Sequence, residues 1–174
     1  MRVWRRCLAV EIDATKLPRV SVIDSGVMLL SLHQRDYRPD SPTCRALWRA
    51  LVDRARLAAG ARVLIPAPVL AELLRGTSKQ EPPRVPGVFV APFTAKTARH
   101  LAQHVSHAFS EAEVAASNAP RAYVKYDALI AATAIAYDAT LIALDGWFHR
   151  QTTWPIAVKH PRDFVTAQTS LPLT

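Results

Sequence analysis

The sequence predicts an α/β fold in which a central parallel sheet of about five strands is covered by helices on both faces. Short apolar runs alternate along the chain with longer segments whose apolar residues recur at helical spacing. Half of the residues are hydrophobic and only 21% are charged, as in folded globular proteins. A length of 174 residues is ordinary for one domain and is enough to bury a core.

The predicted strands are short and apolar, as are strands that are buried on both faces of a parallel sheet. The first ends at Asp24 and the second is closed by Pro66. We expect Phe164 to pack back onto the sheet. The predicted strands cover 20–23, 62–65, 88–90, 141–144 and 156–158.

The predicted helices connect these strands. Ser41 before Pro42 indicates an N-cap followed by proline at the first helical position, and Gly60 indicates the end of that helix. Its predicted core stripe is Cys44, Leu47, Trp48, Leu51, Val52 and Ala55. Further helices are predicted over 27–32, 69–75, 95–109 and 127–137. Thr94 caps the third of these, Asp127 opens the fourth, and the proline-rich segment 77–87 is predicted to be an irregular loop.

One domain is expected over residues 20–168, followed by a tail over 169–174. Residues 1–19 lie outside the alternation, and an edge strand, a flexible basic arm and a wrongly chosen start codon are all open interpretations. The basic N-terminus has no long apolar stretch, which argues against a signal peptide. The longest apolar run, 128–137, is about half a membrane span. Two cysteines outside any CxxC pair favour a cytoplasmic protein with reduced thiols and no membrane partner.

The net charge of the chain is +8, from 22 basic and 14 acidic residues. Basic proteins attract polyanions over distance, and nucleic acid is the usual one. This is weak evidence alone, because many basic proteins bind no nucleic acid.

Four acids stand where this outline predicts a cleft. Asp24 and Asp145 directly follow predicted strands, and ligands of open α/β sheets bind beyond the carboxyl ends of the strands. Glu72 lies one turn into the helix after the second strand, and Asp127 lies at the start of the helix before the fourth. We therefore expect all four to converge at one end of the sheet.

Each acid alone also has a structural explanation. Asp127 suits a helix N-terminus, Glu72 suits a solvated helix face, and the other two suit turns. The apolar runs around Glu72 (69–74) and after Asp127 (128–130) weaken this interpretation. Charges that border a core are costly unless they are paired or bound to a metal.

Several segments resemble the motifs of the PIN domain family, in the family's order. They include an aspartate after strand one that is followed by a hydroxyl residue, a glutamate in an apolar helix, and an acid after strand four. The third segment closely resembles that of VapC-like toxins. The resemblance covers roughly 20–165. The matching segments are 22–29, 68–73, 125–134, 140–148 and 161–164.

This resemblance implies a PIN-like three-layer α/β/α fold and a metal-dependent endoribonuclease, the toxin of a toxin–antitoxin pair. It implies that Asp24, Glu72, Asp127 and Asp145 hold Mg²⁺ or Mn²⁺, since hard cations prefer oxygen ligands. These residues would then hydrolyse phosphodiester bonds of an RNA substrate. A cognate antitoxin that covers the acidic cleft, and a homodimer, are further implications of the resemblance.

Several residues near the four acids have two possible roles, one in the active site and one in structure or solubility. Ser25 would donate to a carboxylate or phosphate, or simply cap a helix. Arg75, Lys125 and Arg150 would steer phosphate or serve solubility, and His149 would touch RNA or be a surface imidazole. Trp147 would stack on a base or pack in the core. Finally, zinc binding is a minor alternative for three histidines of one helix, His100, His104 and His107.

The sequence allows two other functions. A non-catalytic PIN module that binds RNA or protein is suggested by Gly26 and Ala143, where PIN proteins often carry polar residues and a hydroxyl respectively. A different metal phosphohydrolase, such as a DNA nuclease, is the other. The intact set of four acids argues against the non-catalytic module.

Overall fold

The computed structural model describes residues 10–32, 38–75, 84–105 and 121–166, apart from the side chains of 105 and 121–125. The predicted strands form one sheet of five, and all neighbouring pairs are parallel. They are β1 (Val20–Ile23), β2 (Arg62–Pro66), β3 (Val88–Ala91), β4 (Thr140–Ile142) and β5 (Val158–Lys159). The helices are α1 (Ser25–Leu32), α2 (Ser41–Leu57), α3 (Ala67–Arg75), α4 (Ala95–His100), α5 (Arg121–Ala136) and α6 (Gly146–Arg150).

Both faces of the sheet are covered, which confirms the predicted three-layer α/β/α architecture. Successive residues of a strand point to opposite faces. Val22 and Ile23 of β1 are nevertheless both buried, as are Leu141 and Ile142 of β4. Phe164, at the end of a 3₁₀ turn over Pro161–Phe164, is also buried in the core, as predicted.

The strand order is β3-β2-β1-β4-β5. The chain therefore moves from β1 outward to β3 and then returns to the other side of β1. The direction of winding reverses between β1 and β4, and open α/β sheets bind ligands beyond the carboxyl ends of the strands at such a point. The backbone N–H of Asp24 donates to the carbonyl oxygen of Ile142 at 3.0 Å, so the ends of these two strands are joined there.

Several predicted boundaries are wrong, and two of them concern the acids. α5 begins at Arg121, so Asp127 lies well inside the helix and not at its start. β4 ends at Ile142, so Asp145 follows the strand by three residues and not directly. The physical reason is that the chain leaves the sheet after Ala143, whose N–H still donates to Lys159.

Smaller corrections concern helix and strand ends. Asp40, without a side-chain cap, precedes α2, so that Ser41 is its first residue and not its N-cap. β5 lies at Val158–Lys159, later than predicted. α4 is capped by Thr94 as predicted and continues as a π-helical segment, Leu101–Val105. The predicted end of that helix and most of the proline-rich loop lie outside the described residues.

Residues 10–19 pack against the rest of the fold. Ile12 forms an isolated antiparallel bridge with Val165, and Leu17 is only 5% exposed in the core. The guanidinium of Arg54 in α2 donates to the carbonyl oxygen of Ala14 at 3.3 Å. This part of the N-terminal segment is therefore neither a sixth strand of the sheet nor a detached arm. Among the helices described, none is long and apolar enough to cross a membrane.

Candidate active site

Asp24 is held rigidly where β1 meets α1. Its side chain is 4% exposed, and its Oδ2 accepts a hydrogen bond from the backbone N–H of Gly26 at 3.2 Å. The hydroxyl of Ser25 lies 3.5 Å from Oδ1, which is a weak donation to the carboxylate. Ser25 itself is the first residue of α1.

The pKa of Asp24 is raised from its ordinary value to about 6. Burial is the main cause, because desolvation disfavours the charged carboxylate. Hydrogen bonds from the backbone of Ser25 and Gly26 act in the opposite direction. The negative charges of Glu72 and Asp145 raise the pKa further, so both acids lie within electrostatic reach of Asp24.

Asp127 belongs to the same group of acids. It is half-buried in α5, and its pKa is raised to about 7. Desolvation is again the first cause, followed by the charges of Asp24, Asp145 and Glu72. A carboxylate this far from the start of a helix is not explained by the helix dipole, which acts within the first turn.

Glu72 reaches the group from α3, and Asp145 reaches it from the N-cap of α6. Glu72 is half-buried, and its helix neighbours Val69 and Leu73 are buried. Asp145 is exposed and acts as the N-cap of α6, because its Oδ1 accepts the backbone N–H of Trp147 at 2.7 Å. One of its oxygens is therefore occupied by a structural hydrogen bond.

The four acids make up an oxygen-only donor set, which suits a hard divalent cation. Asp24 and Asp127 carry a desolvation cost and repel the other acids, and a cation would relieve both effects. The donor chemistry thus fits Mg²⁺ or Mn²⁺. In the side-chain positions present, however, no three His, Cys, Asp or Glu of the described ranges surround a common point closely enough to hold a metal ion.

The predicted basic side chains are distributed unevenly around the acids. Arg75 is exposed at the end of α3, and the side chain of Lys125 lies outside the described residues. Arg150 is exposed, and its Nη1 lies 3.5 Å from the position that a Cβ on Gly146 would take. Its guanidinium therefore folds back to Gly146 at the start of α6.

Two imidazoles lie beside this edge of the sheet. Nε2 of His149 donates to the carbonyl oxygen of Ala143 at 3.1 Å, so this exposed residue braces the turn that leads to Asp145. Its ring centroid is 5.9 Å from that of His160. His160, which directly follows β5, is not among the sequence-predicted site residues. Desolvation is the main cause that lowers the pKa of His160.

Packing decides the role of Trp147 but leaves the zinc alternative for the three histidines untested. Trp147 is 5% exposed and makes edge-to-face contacts with Phe148 and Trp154, so it packs in the core and has no face free for a base. His100 and His104 stack at 5.6 Å, but they belong to no three-ligand group in the described part of the chain. The third histidine, His107, lies outside the described residues.

The two departures from the family pattern have distinct surroundings. A Cβ on Gly26 would lie 3.2 Å from Oδ2 of Asp24, so a side chain there presses on the carboxylate. Ala143 is fully buried, and its backbone bonds both Lys159 and His149.

Comparison with known proteins identifies the family. A family model described as the PIN domain matches residues 22–152. No curated protein sequence matches the chain. The fold is similar to that of solved toxin–antitoxin structures. One is VapBC2 from Rickettsia felis bound to a promoter DNA fragment, with 19% identity, a TM-score of 0.55, and coverage of 81% of this chain and 98% of that one.

Two further solved structures share the fold. DNA-bound VapBC from Salmonella typhimurium is 16% identical with a TM-score of 0.54, over 81% of this chain and 97% of that one. FitAcB from Neisseria gonorrhoeae is 19% identical with a TM-score of 0.51, over 82% of this chain and 98% of that one. At these identities the likeness concerns the fold alone, but the family model spans most of the sequence. The chain therefore belongs to the PIN domain family.

Proposed function

We propose that this chain is a divalent-metal-dependent endoribonuclease and the toxin of a toxin–antitoxin pair. One observation carries the proposal: four acids from distant parts of the sequence interact electrostatically at the carboxyl edge of a PIN fold, and this repulsion adds to the desolvation that raises the pKa values of Asp24 and Asp127. PIN domains are a family of nucleases, which gives this acidic group a hydrolytic role.

Asp24, Glu72, Asp127 and Asp145 would hold Mg²⁺ or Mn²⁺. When bound, such an ion neutralises charge on the attacked phosphate and promotes ionisation of water. The backbone N–H of Gly26 orients the Asp24 carboxylate, and the N–H of Trp147 orients that of Asp145.

The surrounding side chains would place the RNA. Arg150, next to Gly146, and Arg75, at the end of the helix that carries Glu72, are exposed cations suited to phosphate. Lys125 precedes Asp127 by two residues and is assigned the same role. Ser25 would donate to a carboxylate or phosphate oxygen, and His149 would contact RNA from the turn that it braces.

A cognate antitoxin and a homodimer complete the proposal. The structural relatives are VapBC and FitAB complexes, and those of Rickettsia felis and Salmonella typhimurium are bound to DNA. A basic group of an antitoxin would pair with the acidic cleft, because the cleft holds mutually repelling carboxylates.

The test compares the wild type, Asp24→Asn and the control Asp53→Asn, whose acid is exposed on α2. Each is incubated with a structured RNA pool in Mg²⁺, in Mn²⁺ and in EDTA, and the cut ends are mapped. We expect cuts by wild type and Asp53→Asn that disappear in EDTA and in Asp24→Asn. Cuts that persist in EDTA and in Asp24→Asn would contradict the assignment, and preferential cutting of DNA would change the substrate class.

A non-catalytic PIN module is the second candidate. Gly26 and Ala143 favour it, because PIN proteins often carry a polar residue and a hydroxyl at these two positions. Titration calorimetry with Mn²⁺ separates the two candidates when combined with the cleavage assay. Metal binding without turnover of a broad RNA pool by folded protein supports the binding module.

A further inference from the structure

Two cavities that share a wall lie at the edge of the sheet opposite the acids. The larger has a volume of about 430 Å³ and includes Arg19 and Gly60 in its wall. The smaller has a volume of about 190 Å³ and includes Leu64 and Phe89. Both are lined by Val20, Arg62 and Tyr137, so they form one groove with a polar half and an apolar half.

The polar half presents two guanidinium groups. Arg19 immediately precedes β1, and Arg62 begins β2 in register with Val20. The backbone N–H of Arg62 donates to the carbonyl oxygen of Arg19 at 2.8 Å, which ties the two segments together. Parallel neighbours lie about 4.8 Å apart, so two positive residues begin adjacent chains at the same end of the sheet.

One of these guanidinium groups packs against the backbone of a glycine. Gly60 has a φ of +79°, a conformation that side chains rarely adopt, and a Cβ there would lie 2.5 Å from Nη2 of Arg19. The guanidinium therefore rests against the Gly60 backbone. Asp138 also lines the polar half, yet among the described residues no ion pair joins it to Arg19 or Arg62.

The apolar half presents aromatic rings to solvent. Phe89 of β3 is 51% exposed and Tyr137, directly after α5, is 38% exposed. An exposed aromatic ring beside guanidinium groups suits a nucleotide, because the base stacks on the ring and the phosphate accepts from arginine. An apolar peptide would use the rings but would leave the arginines unpaired.

We propose that this groove binds a segment of single-stranded RNA outside the cleavage site. Arg19 and Arg62 contact backbone phosphates, and Phe89 and Tyr137 stack against bases. The proposal rests on the ribonuclease assignment for its choice of polyanion and adds a second contact region for the same substrate. Asp127 and Tyr137 are ten residues apart along one helical segment, so the groove lies on the order of 15 Å from the acids.

This separation makes the effect of the groove depend on RNA length. An RNA long enough to reach from the acids to the groove gains affinity from both regions, whereas a short oligonucleotide occupies only one. Loss of two phosphate contacts should lower the salt dependence of binding, with the slope of log K against log salt falling by about 1.4.

Binding is measured first in the Asp24→Asn background, where no cleavage interferes. Fluorescence anisotropy with a labelled single-stranded RNA of about 20 nucleotides compares Arg19→Gln/Arg62→Gln and Phe89→Ala with matched controls. The controls are Arg49→Gln/Arg56→Gln, which removes two exposed α2 cations, and Phe93→Ala, which removes an exposed ring outside the groove. Circular dichroism and melting curves verify that every variant is folded.

We expect the groove variants to bind roughly ten-fold more weakly than their controls, as loss of base stacking or phosphate contacts predicts. Equal binding by groove and control variants would overturn the proposal. Displacement of the RNA by a mononucleotide as readily as by an oligonucleotide would overturn it too, since the groove would then hold a free nucleotide. The proposal would also be overturned if the groove variants kept RNA binding and lost antitoxin binding.

Cleavage by the active protein separates this proposal from the enzymatic one. We expect Arg19→Gln/Arg62→Gln to cut long RNA more slowly and to cut an oligonucleotide too short to span both regions at the wild-type rate. If the groove variant and its control cut long RNA at equal rates, the groove proposal would be overturned and the ribonuclease assignment would stand. RNA binding that depends on the groove, without any cleavage by wild type, would overturn the ribonuclease assignment alone.

Discussion

Trp147 donates its backbone N–H to Oδ1 of Asp145 at 2.7 Å, so an acid of the candidate active site also caps the helix that follows it. The same hydrogen bond orients the carboxylate and begins α6. The indole of Trp147 is buried against Phe148 and Trp154, which anchors this turn to the core. Structural and chemical roles of Asp145 are therefore separable by substitution.

Asp145→Asn should keep the fold and lose RNA cleavage, because asparagine caps a helix as well as aspartate but lacks the charge. Asp145→Ala should lose cleavage and about 1 kcal/mol of unfolding free energy, since the cap is removed. Urea denaturation and the cleavage assay measure the two effects. Equal stability of the two variants would show that the cap contributes nothing, and full cleavage by Asp145→Asn would remove this acid from the site.

Asp24→Asn should stabilise the metal-free protein at neutral pH. The pKa of Asp24 is about 6 in the folded protein and about 4 in an unfolded chain. Between these values the folded state holds a proton that the unfolded state has lost, so stability falls as the pH rises. The ionised carboxylate then costs roughly 1–3 kcal/mol, a cost that asparagine avoids.

Melting temperatures of wild type, Asp24→Asn and Asp53→Asn across pH 4 to 8 test this linkage. The advantage of Asp24→Asn should appear near neutral pH and shrink towards pH 4, where the wild-type carboxyl is protonated in the folded state and about half protonated in the unfolded chain. Asp53→Asn should show no such trend. An advantage that grows as the pH falls would have the wrong sign and would contradict the raised pKa.

Gly26→Ala should reduce RNA cleavage several-fold with little loss of stability. Its Cβ would lie 3.2 Å from Oδ2 of Asp24, so the carboxylate must shift by a few tenths of an ångström. Misplacement of a catalytic group on this scale slows reactions substantially. Gly146→Ala is the matched control at the start of α6, where the new Cβ meets only Arg150 at 3.5 Å. Equal cleavage by the two variants would show that the space beside Asp24 is not needed.

Leu17→Ala should lower the unfolding free energy by about 2–3 kcal/mol, as expected for a buried leucine. Leu17 is 5% exposed and belongs to the core, although it precedes the first strand. Leu57→Ala, at a residue 87% exposed, should change stability by less than about 0.5 kcal/mol. Chemical denaturation of both variants provides the comparison. A negligible effect of Leu17→Ala would place the folded domain's boundary after this residue.

The sequence by itself determined the order of strands and helices and the parallel sheet, and it led us to expect that the four acids lie close together. These features follow from local patterns: apolar runs for β1 and β4, and helical spacing for α2. The predicted ends of helices and strands were less accurate, because these ends depend on backbone hydrogen bonds. The two examples are Asp127, which lies inside α5 and not at its start, and Asp145, which lies beyond the end of β4.

Only the tertiary structure decided how the acids affect one another. The raised pKa of Asp24 arises from burial between elements and from the charges of Glu72 and Asp145, which are far from it along the chain. The burial of Trp147 and the groove beside Arg19 likewise depend on segments that meet only in the folded protein. Desolvation and Coulomb interactions are set by distances in space, and a local sequence pattern contains no such distances.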